Sequence, residues 1–67
     1  MRSLRVLFGK RVRELRLQVG WKQDEFADIC GFARSYMSRI ETGGANPSLD
    51  AIQTIATALR VPVKELF

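Results

Sequence analysis

The sequence contains no histidine and a single cysteine, Cys30. An internal disulfide and the Cys/His zinc frameworks are therefore excluded, and the commonest general acid-base side chain is missing. The most acidic short segment holds Asp24, Glu25 and Asp28 on one predicted helix. Because no histidine accompanies these carboxylates, we do not expect the protein to be an enzyme or to bind a metal or other cofactor. Cys30 is interpreted as a small buried apolar residue in a reducing cytoplasm, with redox sensing as the alternative.

Long apolar runs are also missing. A signal or membrane helix would need an unbroken apolar run, but cations interrupt the apolar residues of the N-terminal segment. Apolar residues make up 46% of the chain and charged residues 27%, which argues against disorder. A chain of 67 residues builds one modest core. The sequence therefore predicts a single domain over residues 1–67 that is cytoplasmic, has no membrane contact and gains stability by association.

Positive charge is concentrated at the N-terminal end of the chain. Residues 1–22 hold seven cations and one acid, for a net charge of +6, and the remainder has a net charge of −2. A basic segment of this kind indicates an anionic partner, most commonly nucleic acid, with a membrane surface as the competing partner. A solvated helix face explains the same pattern equally well without any partner.

Glycine and proline divide the chain into short segments at Gly20, Gly31, residues 43–47 and Pro62. Between these breakers the apolar residues recur at helical spacing, and no run of period two indicates a strand. The sequence therefore predicts an all-α fold, a compact bundle of about five short helices. The predicted helices cover residues 3–18, 23–30 and 33–42, followed by a fourth helix capped by Ser48 and a fifth that begins near Pro62.

The first predicted helix has two apolar sides of unequal size. The larger side is the expected core face and falls within one arc of the helix: Leu4, Phe8, Val12, Leu15 and Val19. Val6 and Leu17 lie on the opposite side, which is unusual for a free surface. They are a second candidate for a contact with a partner.

Two short helices joined by a tight glycine turn match the helix-turn-helix unit. The segment WKQDEFADICGFARSYMSRIETGGANPSL resembles the phage Cro and repressor (XRE) class, a lambda repressor-like fold whose members include restriction-modification controller proteins. The resemblance runs from about Gly9 to Phe67. Ala27 stands where the two helices cross, Gly31 provides the positive φ of the turn, and Met37 and Ile40 point into the core.

The resemblance implies which residues touch DNA. The base-contact positions of the family fall on Arg34, Ser35 and Arg39 of the third helix, on its outer face, where an arginine can donate two hydrogen bonds to one guanine. Ser38 shares this outer face and is also expected to contact a base. Contacts to the DNA backbone are expected from Lys22, Gln23, Tyr36 and Asn46. For Asn46 the equal alternative is a turn residue that bonds to the local backbone. Ala33 departs from the pattern because a Ser or Thr N-cap is usual there. Gly44 and Ala45 stand where many relatives carry a basic residue, which should lower affinity.

Other residues are expected to hold the molecule together. In the family an arginine and a glutamate at the positions of Arg16 and Glu41 pair across the first and third helices. Trp21 is interpreted as a core residue at the corner between the first two helices. Val63 and Phe67 flank the fifth predicted helix, which has little to bury against in a monomer, so they are predicted to form the dimer interface.

The predicted function is a sequence-specific transcription regulator that binds double-stranded DNA as a homodimer on a palindromic operator. With no evident small-molecule sensor, autoregulation through its own concentration is expected, as in the controller proteins it resembles. The position of the operator relative to a promoter decides whether the protein represses, activates or does both. The alternative is a protein-interaction module with the same fold, such as an antitoxin, for which DNA binding is secondary.

Overall fold

Four α-helices and a terminal 3₁₀ turn make up the computed structural model, which describes residues 3–67. The helices are α1 (Leu4–Val19), α2 (Gln23–Cys30), α3 (Arg34–Thr42) and α4 (Leu49–Leu59), and the 3₁₀ turn spans Val63–Leu66. No strand occurs among these described residues, as predicted. Met1 and Arg2, the latter one of the seven N-terminal cations, lie outside the described residues.

The prediction of about five helices is wrong by one. After Pro62 the chain closes through i→i+3 bonds, Glu65 N–H to the Pro62 carbonyl (2.9 Å) and Phe67 N–H to the Lys64 carbonyl (3.3 Å). This pattern defines a tight 3₁₀ turn, which is normally used in short pieces. The fifth element is therefore a single turn that lies against the helices.

The helix ends follow from local chemistry. The Ser3 and Ser48 hydroxyls accept from the Val6 and Ala51 N–H groups at 3.2 and 3.0 Å and cap α1 and α4. Ala33 occupies the N-cap of α3 and supplies no side-chain bond, so this helix begins without that stabilisation. Helix α4 ends at Arg60 with φ of 58°, the one non-glycine residue with positive φ in residues 3–67.

The core lies where α1 crosses α3. Gly9 packs so closely beneath α3 that a Cβ at this position would collide with the Ile40 carbonyl. The largest fully buried side chains surround this crossing: Val12, Phe26, Met37, Ile40, Ile55 and Leu66. Leu4 and Val19 were predicted to share the core face of α1 but are exposed, because each lies at an end of the helix that no neighbouring helix covers. Within residues 3–67 no helix is both long and apolar enough to cross a membrane.

Candidate nucleic-acid interface

The turn between α2 and α3 fixes the angle at which α3 is presented. Gly31 adopts φ of 73°, and its N–H donates to the Ala27 and Asp28 carbonyls. The Phe32 N–H also donates to the Ala27 carbonyl, at 2.8 Å. Ala27 is buried where the two helices meet, so its small side chain permits the close crossing. The two helices thus form one compact unit joined by a left-handed turn.

The outer face of α3 is polar and open to solvent. Arg34, Ser35 and Arg39 are exposed and Ser38 is half-buried, on the side opposite the buried Met37 and Ile40. Among residues 3–67, no carboxylate lies within ion-pair distance of either arginine. The guanidinium groups of this face are therefore available to an external acceptor.

Thr42 shares this outer face and was missed in the sequence analysis. It lies seven residues after Ser35, close to two full helical turns, and is exposed. Its hydroxyl donates to the Ser38 carbonyl at 3.0 Å. The oxygen keeps a free lone pair and can still accept a hydrogen bond. The same spacing rule that selected Ser35 and Ser38 would have found it.

Gln23 begins α2 with its side chain half-buried. Its amide nitrogen donates to Glu41 Oε1 at 3.2 Å. From sequence, Gln23 was expected to contact DNA and Glu41 to pair with Arg16, and the structure brings the two residues together. A glutamine amide carries two N–H donors, so one remains for another acceptor. Gln23 thus joins the first turn of α2 to the last turn of α3.

The N-terminus of α2 also carries acidic groups that the DNA assignment had not considered. The Lys22 backbone N–H donates to Glu25 Oε1 at 2.9 Å, and the Glu25 N–H donates to Asp24 Oδ1 at 2.9 Å. These carboxylates interact with the positive end of the helix dipole, which would otherwise attract a phosphate. The exposed Lys22 side chain offsets part of their charge at this end of α2.

Arg16 and Glu41 form a buried, bidentate ion pair. Arg16 Nε donates to Glu41 Oε2 at 2.8 Å and Nη2 donates to Oε1 at 3.0 Å. The third guanidinium nitrogen, Nη1, donates to the Trp21 carbonyl at 2.8 Å. This network ties α1, the α1–α2 corner and α3 to one another. Because every polar group in it has a partner, the low local dielectric strengthens the network instead of penalising it.

Tyr36 and Asn46 occupy opposite ends of α3. Tyr36 is half-buried and packs edge-on against Phe32, with ring centroids 5.1 Å apart. Asn46 is exposed in the loop after α3. This loop folds back on the helix, since the Gly44 and Ala45 N–H groups both donate to the Arg39 carbonyl. Tyr36 therefore lies in the first turn of α3 and Asn46 in the loop beyond its C-terminal end, both outside the outer face.

Cys30 and Trp21 have structural surroundings. Burial raises the pKa of the Cys30 thiol to about 11, which keeps it protonated and unreactive at neutral pH. Trp21 is half-buried and stacks on Phe26 at 5.4 Å, at the corner where it was expected. Residues 3–67 contain no cluster of side chains able to hold a metal ion.

A second candidate surface is apolar and lies at the C-terminal end. Phe67 is 60% exposed and stacks on Phe8 at 5.2 Å, Val63 is 38% exposed, and Leu49 is 83% exposed. Leu49 and Phe67 line an open groove of about 250 Å³, here named the C-terminal groove. Its lining residues are Leu4, Arg5, Phe8, Asn46, Pro47, Leu49, Ile52 and Phe67. Of the second candidate pair, Val6 lies beside Gly43 but is still 39% exposed, and Leu17 is 55% exposed.

Comparison with known proteins gives the same family from sequence and from structure. The helix-turn-helix family model matches residues 12–66. The control protein C.BamHI of Bacillus amyloliquefaciens is 43% identical over 65 residues, which cover 96% of this chain and 80% of that protein. The crystal structure of the restriction-modification controller protein C.AhdI from Aeromonas hydrophila superposes with a TM-score of 0.89 and 45% identity, covering 92% of this chain and 94% of that one.

A third comparison concerns a protein solved with DNA. The structure of SinR, the master regulator for biofilm formation, in complex with DNA is 33% identical and has a TM-score of 0.82, covering 88% of this chain and 98% of that chain. These matches span the α2–turn–α3 unit and the helices that support it. The chain therefore belongs to the Cro/C1-type (XRE) helix-turn-helix family of DNA-binding transcription regulators, and its relatives include restriction-modification control proteins.

Proposed function

We propose that this protein is a sequence-specific transcription regulator that acts as a homodimer on a palindromic operator, in the cytoplasm where its DNA target lies. The observation that carries the proposal is the outer face of α3, on which Arg34 and Arg39 are exposed with no carboxylate partner within residues 3–67. An exposed helix face of this composition fits the major groove of B-DNA.

Within this proposal Arg39 reads a base pair through a bidentate bond to guanine. At 3.6 residues per turn it lies about 40° from Ser35 and about 60° from Thr42, at one edge of the outer face, with Arg34 at the other edge. Arg34 lies in the first turn and reads a neighbouring base pair or holds the backbone beside it. Ser35 and Ser38 add shorter polar contacts, which constrain the sequence less because a hydroxyl both donates and accepts.

Residues around this face contact the sugar-phosphate chain and set the depth of insertion. Gln23 uses one amide N–H on Glu41 and offers the second to a phosphate oxygen. Lys22 supplies a charge, the Tyr36 hydroxyl reaches the duplex edge while its ring packs on Phe32, and Asn46 contacts the backbone from the loop. Because Asp24 and Glu25 lie in the first turn of α2, these contacts depend on side chains more than on the helix dipole.

The homodimer is proposed to form through the C-terminal end of the molecule. Phe67, Val63 and Leu49 expose apolar surface that a second copy, related by a two-fold axis, would cover. Two α3 helices would then read major-groove half-sites about 34 Å apart. The concentration of the protein would then control transcription, since both dimerisation and operator occupancy rise with the amount of protein. The control proteins among its relatives support autoregulation.

The experiment that tests the proposal is selection of bound duplexes from a random pool, followed by titration of the enriched sequence and of DNA upstream of the gene itself. We expect an enriched palindrome with half-sites about one helical turn apart, 10–10.5 bp between centres. The wild-type protein should bind it by at least about 10³-fold more tightly than random DNA at fixed salt. A pool that enriches no common motif would refute sequence-specific binding.

A protein-interaction module is the second candidate function, favoured by one observation. Val19 and Ile29 are exposed and border a groove on the surface beside Trp21, separate from the outer face of α3. Exposed apolar surface of this kind is typical of protein contacts. An antitoxin-like module would bind a neighbouring gene product with higher affinity than any DNA, which co-expression and co-purification would reveal.

A further inference from the structure

Arg11 connects α1 to the C-terminal turn, 54 positions along the chain. Its Nε donates to the Glu65 carbonyl at 2.8 Å, and the guanidinium is half-buried. A helical turn leaves its last carbonyl groups without an internal donor. Arg11 supplies that donor from a neighbouring element, so it caps the terminal turn from outside.

The remaining contacts of Arg11 are weaker. Its terminal nitrogens lie 3.4 Å from Glu14 Oε2 and 3.5 Å from Glu65 Oε2, with both carboxylates about half exposed. Ion pairs of this length and exposure contribute little, because water screens them. The charge-assisted bond to the carbonyl is shorter and better directed. The carbonyl contact is therefore the one that holds the turn.

The C-terminal turn is also held by the fully buried side chain of Leu66 and by its link to α4, where the Val61 N–H donates to the Ala56 carbonyl at 3.1 Å. These contacts fix the position of the turn in the core. Arg11 adds a bond from α1 to the backbone of the turn itself. Phe8, one turn before Arg11 on the same helix, stacks on Phe67 at 5.2 Å. The rotation of the turn thus decides whether Phe67 and Val63 face outward in the observed arrangement.

We propose that Arg11 is a positioning residue for dimerisation, orienting Phe67 and Val63 through its bond to the Glu65 carbonyl. This inference rests on the proposed homodimer. Without Arg11 only a fraction of monomers holds the turn in the competent orientation, and the apparent affinity falls by that fraction. The outer face of α3 is unaffected, because none of the contacts of Arg11 involves it.

The test compares Arg11→Met, which keeps most of the aliphatic length but removes every donor, with the matched controls Glu14→Gln and Glu65→Gln. The controls remove one ion pair each and leave the carbonyl contact. Sedimentation equilibrium should show an about tenfold rise in the dimer dissociation constant for Arg11→Met, and less than about twofold for either control. Arg11→Lys, whose ammonium can donate to the carbonyl, should recover part of the loss.

A second readout follows the orientation of the turn in the monomer. Ring stacking on Phe8 displaces the Phe67 proton resonances, and Arg11→Met should return them toward unstructured values while resonances of α2 and α3 stay in place. If the wild type is dimeric and Arg11→Met has the same dimer dissociation constant, the role of Arg11 is overturned and the homodimer stands. Equal losses in Glu65→Gln and Arg11→Met assign the effect to the ion pair and also overturn it. A wild type that stays monomeric throughout overturns the homodimer itself.

Discussion

Replacing Glu41 with alanine should destabilise the whole domain while leaving its base preference intact. The substitution removes the acceptor of three hydrogen bonds, two from Arg16 at 2.8 and 3.0 Å and one from Gln23 at 3.2 Å. Arg16 keeps only its bond to the Trp21 carbonyl at 2.8 Å. The buried Arg16, a residue that is 6% exposed, is then left without a counter-ion.

The size of the loss follows from this geometry. Breaking a buried ion pair from one side costs about 3–5 kcal/mol, because the remaining charge stays buried. Arg16 keeps its bond to the Trp21 carbonyl, which stabilises part of that charge, so we expect the lower end, about 3 kcal/mol. A domain of this size has roughly 3–10 kcal/mol of total stability. The midpoint of thermal unfolding should fall by about 12–24 °C.

The assay is urea and thermal unfolding followed by far-ultraviolet circular dichroism, with the double variant Arg16→Met plus Glu41→Leu as the matched control. The double variant removes both charges and should be more stable than Glu41→Ala, since apolar replacements of a buried pair are often neutral. Binding at low temperature should keep the same ranking of operator variants. A loss below about 1 kcal/mol, or an altered ranking with unchanged melting, would refute the structural role of the pair.

Four further outcomes are expected. Arg39→Ala should lose discrimination at one base pair in each half-site, by about 1–3 kcal/mol, and retain binding to random DNA; a uniform loss across single-base operator variants would make Arg39 a phosphate contact instead. The logarithm of the binding constant should fall with the logarithm of salt concentration by about 0.9 per phosphate neutralised, and a flat titration would point to protein partners. Arg60→Gly should raise the unfolding midpoint, because φ of 58° is strained for arginine and open to glycine; no change or a decrease would show that the arginine side chain matters more. Burial raises the pKa of Cys30 from an ordinary 9.0 to about 11, so the folded state favours the neutral thiol. The contribution of this thiol to stability therefore persists below pH 9 and is lost as the pH rises toward 11. Alkylation of the thiol in the native protein at about pH 8 should be slow, and rapid alkylation would contradict a buried Cys30.

The parts of the fold that sequence predicted are those with a local cause. The bounds of α2 match the prediction from residue 23 to residue 30 because Gly31 ends the helix by its own backbone preference. Ser48 capped α4 as expected, since an N-cap bond spans only three residues. Spacing within one helix likewise separated the outer face of α3 from Met37 and Ile40.

What sequence could not predict depends on distant partners. The bond from Arg11 to Glu65 joins residues 54 positions apart, and nothing in either neighbourhood indicates the other. The contact of Gln23 with Glu41 also became visible only once α2 and α3 were in place. Leu4 and Val19 follow the periodicity of the core face, yet periodicity carries no information about where the neighbouring helix ends.

On α3 the exposed outer face and the residue that bonds to the rest of the domain are separate, which has a consequence for how such a regulator diversifies. The side chains of Arg34, Ser35 and Arg39 make no hydrogen bond or ion pair within residues 3–67, whereas Glu41 is bonded to the rest of the domain. Under the proposed function, substitutions on the outer face therefore change the recognised sequence at little cost in stability, usually within about 0.5 kcal/mol. Copies that arise by gene duplication could acquire separate operators by a few such changes and function side by side in one cell without cross-talk.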